Sequence, residues 1–439
     1  MKWIATTETA KWEEKVIVPG APSCEDKIIL TGEKGQTIKG FGGCFNELGY
    51  IALSKITTNK KEQILKDLFS VEGCNFNFCR VPIGANDYAA EWYSHDEHED
   101  DFNMEHFSIE RDRKYLLPFI KAAMEYKNDL ALFASPWSPP TWMKFPKVYN
   151  YGTLRMEPAV LKAYALYFKK FVESYQAEGI SVEQIHIQNE PFADQKFPSC
   201  LWSSEQFQIF IRDYIGPLFA EENIKAQIWL GTLNGPEDMT FGSIIKMENY
   251  NRYVDNILFD KEARKYISGI GYQWAGRADV ERTRESWPEI ALMQTESECG
   301  DGRNSWEYAE YIFGLARHYL RHGVCAYIYW NMVLEPEGKS TWGWNQNAMI
   351  TIHPETQEII YNPEYYVMKH YAHFIKPGAI RLEISGHWSS MASVYQNPNG
   401  ELVIVVQNAL NHAQEFTFEG NGTNFTVMLD ANSFHTFLI

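Results

Sequence analysis

The sequence lacks the features that would place this protein in a membrane, on nucleic acid or among disulfide-rich secreted domains. None of its 439 residues lie in an apolar run long enough to span a bilayer. Lys and Arg number 40 against 57 Asp and Glu, and the net charge of -17 argues against nucleic acid or an anionic membrane surface as a partner. The seven cysteines cannot all pair and show no CxxC zinc pattern, so we expect buried free thiols in a reducing compartment.

Signals for targeting, metal binding and repetition are also missing. Charged residues follow Met1 too soon for a signal peptide, which predicts a cytoplasmic protein, or a secreted one if a leader has been removed. His95, His98 and His106 surround an acidic run, but without fixed ligand spacing they predict a solvated loop rather than a metal site. We expect no metal and no cofactor, and the oligomeric state stays open.

Short apolar runs are what the chain has instead, and they alternate with amphipathic segments from about residue 38 to residue 375. Eight strand-helix alternations favour a (β/α)8 barrel. A doubly wound sheet is the alternative, but it would gather polar motif residues near one switch point rather than at many strand ends. The predicted strands are Ile38–Phe45, Phe76–Ile83, Leu130–Trp137, Val182–Asn189, Gln227–Leu233, Ile267–Trp274, Ile290–Thr295 and Cys325–Asn331. The predicted helices lie near 59–69, 112–127, 159–178, 204–222, 250–264, 278–286, 304–322 and 363–374.

The pattern changes after Pro377 to short strands separated by turn signals such as Asn397-Pro398-Asn399-Gly400. This pattern predicts an antiparallel β module over Ala392–Gln396, Leu402–Gln407, Glu415–Phe418 and Phe425–Leu429. The strand-like segment Lys11–Pro19 is expected to join it, so that both chain ends build one β-sandwich. We therefore predict a sandwich of residues 1–30 and 376–439 and a barrel of residues 31–375.

Two glutamates stand where predicted barrel strands stop. Glu190 follows an apolar run within Asn189-Glu190-Pro191, and Glu296 ends the run that begins at Ile290. The carboxyl ends of barrel strands meet at one mouth. A retaining glycosidase needs two carboxyls there, about 5–5.5 Å apart, one protonated and one ionised. Glu298 is a rival for the ionised group, but it lies beyond the predicted strand.

Several longer motifs resemble glycoside hydrolase family 30, which contains the glucosylceramidases and related β-glycosidases. The resemblance covers nearly the whole chain, and its Ala-Ser-Pro-Trp and Asn-Glu-Pro segments are highly specific together. The motifs are Gly40-Phe41-Gly42-Gly43, Arg80-Val81-Pro82-Ile83, Ala134-Ser135-Pro136-Trp137-Ser138-Pro139-Pro140-Thr141-Trp142-Met143-Lys144, Gln188-Asn189-Glu190-Pro191 and Trp330-Asn331.

The resemblance implies a barrel with a side sandwich, retaining double displacement and roles for individual residues. Glu190 is similar in position to the family's acid/base and Glu296 to its nucleophile, while Arg80 resembles the arginine that braces the nucleophile. Asn189 is expected to donate to a sugar 2-hydroxyl. The further substrate contacts that the resemblance implies are Asp87, Trp137, Trp330, Trp342 and Asn345.

The chain departs from the family pattern at Gln273-Trp274-Ala275, where many relatives carry His-Trp-Tyr. Gln273 is therefore predicted to alter the sugar pocket, and Tyr272 is a candidate for the donor that the missing tyrosine supplies to the nucleophile. The sugar is left open among glucose, galactose, fucose and xylose. We expect a small β-glycoside or oligosaccharide substrate, no nucleic acid and no membrane partner. The alternatives are a glucosylceramide-cleaving enzyme and a non-catalytic carbohydrate-binding barrel.

Overall fold

The protein is described here by a computed structural model that covers residues 1–17, 24–235 and 253–439. All eight predicted barrel strands are confirmed, and they pair in parallel into a closed barrel in which the fourth strand meets the fifth and the eighth meets the first. In chain order these strands, called barrel strands one to eight below, are Gly40–Cys44, Phe78–Ile83, Ala131–Pro136, Val182–His186, Gln227–Leu233, Ile267–Gln273, Ala291–Glu296 and Val324–Asn331.

Barrel strand four ends earlier than predicted, at His186 rather than Asn189. The next residues leave the ladder because their backbone amides bond to two neighbouring strands instead of one. The Asn189 amide donates to the carbonyl of Pro136 at 2.8 Å, and the Glu190 amide donates to the carbonyl of Thr232 at 2.9 Å. This bridging fixes the segment that carries Glu190 across the mouth of the barrel.

Helices cover the outside of the barrel, as expected for parallel strands that are buried on both faces. The predicted helix at 250–264 begins outside the described residues, and its described part is two helices separated at Asp260, whose carboxylate caps the second. The helices are Glu47–Ser54, Thr58–Phe69, Leu116–Met124, Pro158–Ala177, Ser204–Phe210, Gly216–Glu221, Tyr253–Leu258, Lys261–Arg264, Arg277–Ser286, Trp306–Arg321 and Pro363–Ala372, with a π-helical turn at Ile211–Ile215. Among the described residues no helix has the length and apolarity needed to cross a membrane.

Short strands and 3-10 turns lie in several of the loops between the main elements. After barrel strand three, Lys144–Phe145 and Thr153–Leu154 form a hairpin. After barrel strand eight, Val333–Leu334, Ile350–His353 and Glu358–Tyr361 form a three-stranded sheet. Short 3-10 turns lie at Asp112–Lys114, Thr141–Met143, Trp274–Gly276 and Pro336–Gly338 in the barrel domain, and a further one lies at His387–Ser390 in the second domain.

The second domain is a nine-stranded sheet built from both ends of the chain, which confirms the predicted sandwich. Lys2–Thr7 pairs antiparallel with Ser433–Leu438. Contacts between its two ends show that the sheet folds over on itself. The ring of Phe437, near one end of the strand order, lies 5.8 Å from the ring of Phe416 and 4.9 Å from the ring of Phe425, near the other end. In order the strands are Glu13–Lys15, Lys2–Thr7, Ser433–Leu438, Leu402–Asn408, Ala392–Gln396, Ile380–Ser385, Lys27–Thr37, Gln414–Gly420 and Thr423–Leu429.

The N-terminal contribution to this sheet is larger than predicted. Within the predicted strand Lys11–Pro19 the described strand is Glu13–Lys15, and Pro19 itself lies outside the described residues. Lys27–Thr37 is a long strand that pairs antiparallel with Ile380–Ser385 on one side and parallel with Gln414–Gly420 on the other. Because the predicted boundary after residue 30 falls inside this strand, we propose that the barrel domain begins at Ile38.

Candidate active site

Arg80, on barrel strand two, is the centre of a buried polar network at the mouth of the barrel. Its side chain is fully buried. One guanidinium nitrogen donates to Glu296 Oε2 at 2.5 Å, and another donates to Asn189 Oδ1 at 2.7 Å. Two of its nitrogens also donate to Ser135 Oγ, at 3.1 and 2.8 Å. A single cation thereby ties together barrel strands two, three and seven and the segment after strand four.

Glu296 is the last residue of barrel strand seven and receives a second donor from barrel strand six. Gln273 Nε2 lies 2.8 Å from the same Oε2 that accepts from Arg80. Burial raises the pKa of Glu296, and the charge and hydrogen bond of the Arg80 guanidinium oppose that rise. Two donors on one oxygen favour the carboxylate form and fix its orientation.

Glu190 has the opposite environment. Its backbone lies in the left-handed region at φ 45°, which is uncommon for a residue other than glycine, and Pro191 follows it. Burial raises the pKa of Glu190 to about 8, and the negative charges of Glu296 and Asp87 act in the same direction. The pKa of Glu190 is thus raised above its usual range, whereas the hydrogen bonds from Arg80 and Gln273 favour the carboxylate form of Glu296.

Asn189 has an amide whose orientation is fixed by three donors. Its Oδ1 accepts from Arg80 Nη2, from Thr232 Oγ1 at 2.9 Å and from Gln273 Nε2 at 2.9 Å. With the oxygen fully engaged on the network side, the amide nitrogen is left for a ligand. This arrangement supports the predicted role of Asn189 as a donor to a sugar hydroxyl.

Asp87 lies in the loop after barrel strand two and brings a third carboxyl to the mouth. Burial raises the pKa of Asp87 to about 8, and the charge of Glu296 adds to the rise. Asp87 Oδ2 accepts from Gln346 Nε2 at 3.4 Å, whereas Oδ1 is buried and has no hydrogen-bond partner among the described residues. A buried carboxyl atom without a partner is costly, and a ligand hydroxyl would satisfy it.

Gln346, rather than the predicted Asn345, is the residue of its loop that joins the network. Gln346 Oε1 accepts from Trp330 Nε1 at 2.8 Å and from Asn331 Nδ2 at 2.9 Å. Asn345 instead pairs its backbone with Lys339. Asn345 stays a predicted substrate contact, and Gln346 is a further polar residue of the same loop that sequence reasoning did not single out.

Two tryptophans form the apolar part of the mouth. The rings of Trp137 and Trp330 lie 5.3 Å apart, and the Arg80 guanidinium carbon lies 4.3 Å from the centre of the Trp137 ring. Trp342 packs beside this pair at the edge of the same apolar cluster. Trp137, Trp330 and Trp342 are thus together at the mouth, where the sequence placed them.

Tyr272 does not supply the donor that was predicted for it. Its hydroxyl bonds to Thr283 Oγ1 at 2.6 Å, on the helix that follows barrel strand six. Adjacent residues of a strand point to opposite faces, so Tyr272 faces the helices while Gln273 faces the barrel interior. The prediction for Tyr272 is corrected, because Gln273 itself provides the hydrogen bond to Glu296.

Sequence reasoning missed Asn46, Ser135, Thr232 and Gln346. Asn46 follows barrel strand one and donates to Asn331 Oδ1 at 2.9 Å, and Thr232 lies near the end of barrel strand five. Each of the first three is polar, buried and at the carboxyl end of a strand. That position was the available signal, but it was applied only to the two glutamates and to residues whose roles the family resemblance implied. Ser135 was passed over although it lies within a quoted motif.

The cysteines are all free, as expected. None of the seven cysteines, all of which the structure describes, forms a disulfide.

One of the three histidines around the acidic run differs from its prediction. His98 and His106 are exposed and stack at 3.7 Å, as suits a solvated loop. His95 is instead buried, with Nε2 3.6 Å from Asp112 Oδ2.

Comparisons with known proteins agree with the barrel and the sandwich. The Glycosyl hydrolase family 30 TIM-barrel domain matches residues 38–375, and the Glycosyl hydrolase family 30 beta sandwich domain matches residues 378–437. A Caenorhabditis elegans protein provisionally named glucosylceramidase 2 is 30% identical over 397 residues, 85% of this chain and 74% of that protein. The endo-1,6-beta-D-glucanase neg1 of Aspergillus fumigatus is 25% identical over 431 residues, 90% of this chain and 84% of the glucanase. The crystal structure of SrfJ from Salmonella typhimurium superposes with a TM-score of 0.89 at 23% identity, covering 100% of this chain and 99% of SrfJ.

Proposed function

The chain belongs to glycosyl hydrolase family 30 and is a retaining β-glycosidase, and from that premise we propose that Glu296 is its nucleophile and Glu190 its general acid/base. The observation that carries the assignment is the contrast between the two carboxyls. Arg80 and Gln273 donate to one oxygen of Glu296, which favours its carboxylate form, and burial raises the pKa of Glu190 to about 8, which favours its acid form.

In the first step the Glu296 carboxylate attacks the anomeric carbon while Glu190 gives its proton to the departing oxygen. The bond to the leaving group breaks and a glycosyl ester of Glu296 forms. In the second step Glu190, now ionised, takes a proton from water, which attacks the same carbon and releases Glu296. Arg80 and Gln273 reposition the carboxylate for the next cycle.

Replacing Glu296 with alanine tests the nucleophile. Glu296→Ala should abolish turnover, and added azide should restore it by forming a glycosyl azide of inverted configuration. Glu298→Ala is the matched control, because Glu298 was the rival nucleophile two residues away, and it should keep its activity. Normal turnover by Glu296→Ala, or azide rescue in Glu298→Ala instead, would overturn the assignment.

We propose soluble β-glycosides or oligosaccharides as the substrate class, with Asp87, Trp137, Asn189, Trp330 and Trp342 as sugar contacts. The name of the Aspergillus fumigatus relative supports an oligosaccharide, whereas the name of the Caenorhabditis elegans relative supports glucosylceramide as the second candidate. Initial rates on β-linked glucose, galactose, fucose and xylose glycosides identify the sugar. Hydrolysis of glucosylceramide in liposomes, together with co-sedimentation of the enzyme, would favour the second candidate. The cytoplasmic location stays a prediction.

A further inference from the structure

Trp344, in the loop after barrel strand eight, is a large aromatic side chain left open to solvent beside the proposed active site. It is 43% exposed, whereas Trp137 and Trp330 are 2% and 1% exposed. The Trp344 ring meets the Trp342 ring edge-on at 5.0 Å between centres. Trp342 in turn lies against the apolar cluster that contains Trp137 and Trp330. An aromatic surface therefore continues outward from the sugar pocket and ends at Trp344.

The turn that carries Trp344 is fixed in place. The Ser340 amide donates to the Trp344 carbonyl at 2.8 Å, and the Trp344 amide donates to Ser340 Oγ at 3.1 Å, which closes the base of the turn. Its tip is fastened to the Asp87 carbonyl by the Thr341 amide at 3.2 Å and by Thr341 Oγ1 at 3.0 Å. Trp344 is thus held in a set position relative to Asp87, the proposed sugar ligand.

A second observation points to a ligand at this surface. The indole nitrogen of Trp342 is buried and has no hydrogen-bond partner among the described residues. A buried donor without an acceptor costs free energy, so an acceptor from a bound molecule would stabilise it. Sugars combine hydroxyl oxygens that accept such a bond with C–H faces that pack on aromatic rings.

We propose that Trp344 and Trp342 form a second sugar subsite, in which the exposed Trp344 indole packs against the ring adjacent to the one held by Asp87. This inference rests on the proposed glycosidase function and deepens it, because it makes a substrate of at least two linked sugars the preferred class. Holding the indole in place beforehand lowers the entropy lost when the second ring binds. Packing against a second sugar ring explains why Trp344 is exposed to solvent on a fixed turn.

The experiment compares a β-linked disaccharide with the corresponding monosaccharide glycosyl fluoride, which has one ring and no sugar leaving group. Trp344→Ala should lower kcat/KM for the disaccharide about tenfold, as loss of one aromatic packing contact predicts. It should leave kcat/KM for the fluoride unchanged. Trp344→Phe should recover most of the loss, because a smaller ring keeps part of the contact.

Phe259→Ala is the matched control, since Phe259 is 73% exposed and packs edge-on against Trp287, away from the mouth. It should match the wild type on both substrates. Equal losses of kcat/KM on the disaccharide and the fluoride, or no loss on either, would overturn the second sugar subsite. If the wild type cleaves neither substrate, the proposed function fails instead, so the two failures are distinguishable.

Discussion

The mouth of the barrel and the interior of the sandwich are both buried, but they enclose opposite kinds of group. At the mouth, Arg80 and Glu296 are buried as an ion pair, and Asp87 Oδ1 and Gln273 Oε1 have no partner among the described residues. In the sandwich, apolar side chains such as Phe437 fill a separate cluster. Apolar burial stabilises a fold directly, whereas buried charge needs its partner to avoid a large penalty. The comparison teaches that the sandwich contributes stability while the mouth keeps polar atoms ready for a ligand.

Removing Arg80 should have the largest effect, because it leaves the Glu296 charge buried without its partner. We expect Arg80→Ala to lose about 3–5 kcal/mol of unfolding free energy. Since the nucleophile also loses its orientation and its charge partner, kcat/KM should fall by about a thousandfold. Urea unfolding and initial rates measure the two losses. Arg80→Lys keeps the charge but not the planar guanidinium, so its unfolding free energy and kcat/KM should lie between those of Arg80→Ala and the wild type. A wild-type kcat/KM for Arg80→Ala would contradict the proposed role of Arg80.

Truncating Phe437 tests the other half of the comparison. Its ring contacts the rings of Trp3, Phe416 and Phe425. Phe437→Ala should therefore cost about 3–5 kcal/mol of unfolding free energy through the cavity that it leaves. At a temperature where the variant is folded, kcat/KM should match the wild type. A selective loss of kcat/KM in fully folded protein would show that the two regions are coupled.

Glu190 should set the alkaline limit of activity. Since burial raises the pKa of Glu190 to about 8, the acid form is present below that pH and kcat/KM should fall as pH rises through it. Glu190→Gln should remove this limb and lower the rate on an activated substrate about a hundredfold. The pH profile of kcat/KM checks this, and Phe437→Ala is the control that should keep the alkaline fall. If kcat/KM of Glu190→Gln still fell at the same pH, the alkaline limit would belong to another group.

The same raised pKa also affects stability. A carboxyl with an ordinary pKa of 4.5 that rises to about 8 on folding holds a proton in the folded state that the unfolded chain has released between those values. The contribution is present below pH 4.5 and is lost as pH rises through about 8. Urea unfolding of the wild type should thus show a free energy that decreases over this range, and Glu190→Gln should flatten the decrease. An unchanged slope would contradict the burial argument.

The smallest predicted difference separates two neighbours on barrel strand six. Gln273→Leu removes one donor to the Glu296 carboxylate and should lower kcat/KM by roughly tenfold, in line with one hydrogen bond to a charged group. Tyr272→Phe removes only the hydroxyl that bonds to Thr283, on the helix side, and should leave kcat/KM unchanged. Initial rates on one substrate are enough to compare the two variants. A larger loss of kcat/KM in Tyr272→Phe than in Gln273→Leu would restore the prediction that Tyr272 donates to the nucleophile.

Most of the fold could be predicted because its determinants are local. The eight apolar runs predicted every barrel strand, and the turn signals after Pro377 helped to predict the sandwich, since buried parallel strands and antiparallel hairpins have different sequence patterns. Four of the nine sandwich strands were not predicted, namely Lys2–Thr7, Lys27–Thr37, Ile380–Ser385 and Ser433–Leu438. Lys27–Thr37 was missed because its sequence, Lys-Ile-Ile-Leu-Thr-Gly-Glu-Lys-Gly-Gln-Thr, becomes polar and includes two glycines after its first four residues. Its partners lie in distant parts of the chain, which no local pattern reveals.

The candidate site could be predicted where a residue stood within a motif or at the end of an apolar run, and not where long-range geometry chose it. Glu190 and Arg80 belong to motifs, and Glu296 ends an apolar run. Gln346 belongs to a loop whose position depends on contacts with Asp87 and Trp330, and no sequence motif marks it. Side-chain direction on a strand also mattered, and it is why Gln273 rather than Tyr272 reaches the nucleophile.

The pairing of Lys2–Thr7 with Ser433–Leu438 has a consequence for biosynthesis. Trp3 and His435 share a hydrogen bond across 432 positions of sequence, and the whole barrel is translated between them. Chains fold from the N-terminal side as they leave the ribosome. Lys2–Thr7 therefore has no partner in Ser433–Leu438 until the whole barrel has been translated. A nascent chain that stalls within the barrel cannot close this part of the sandwich.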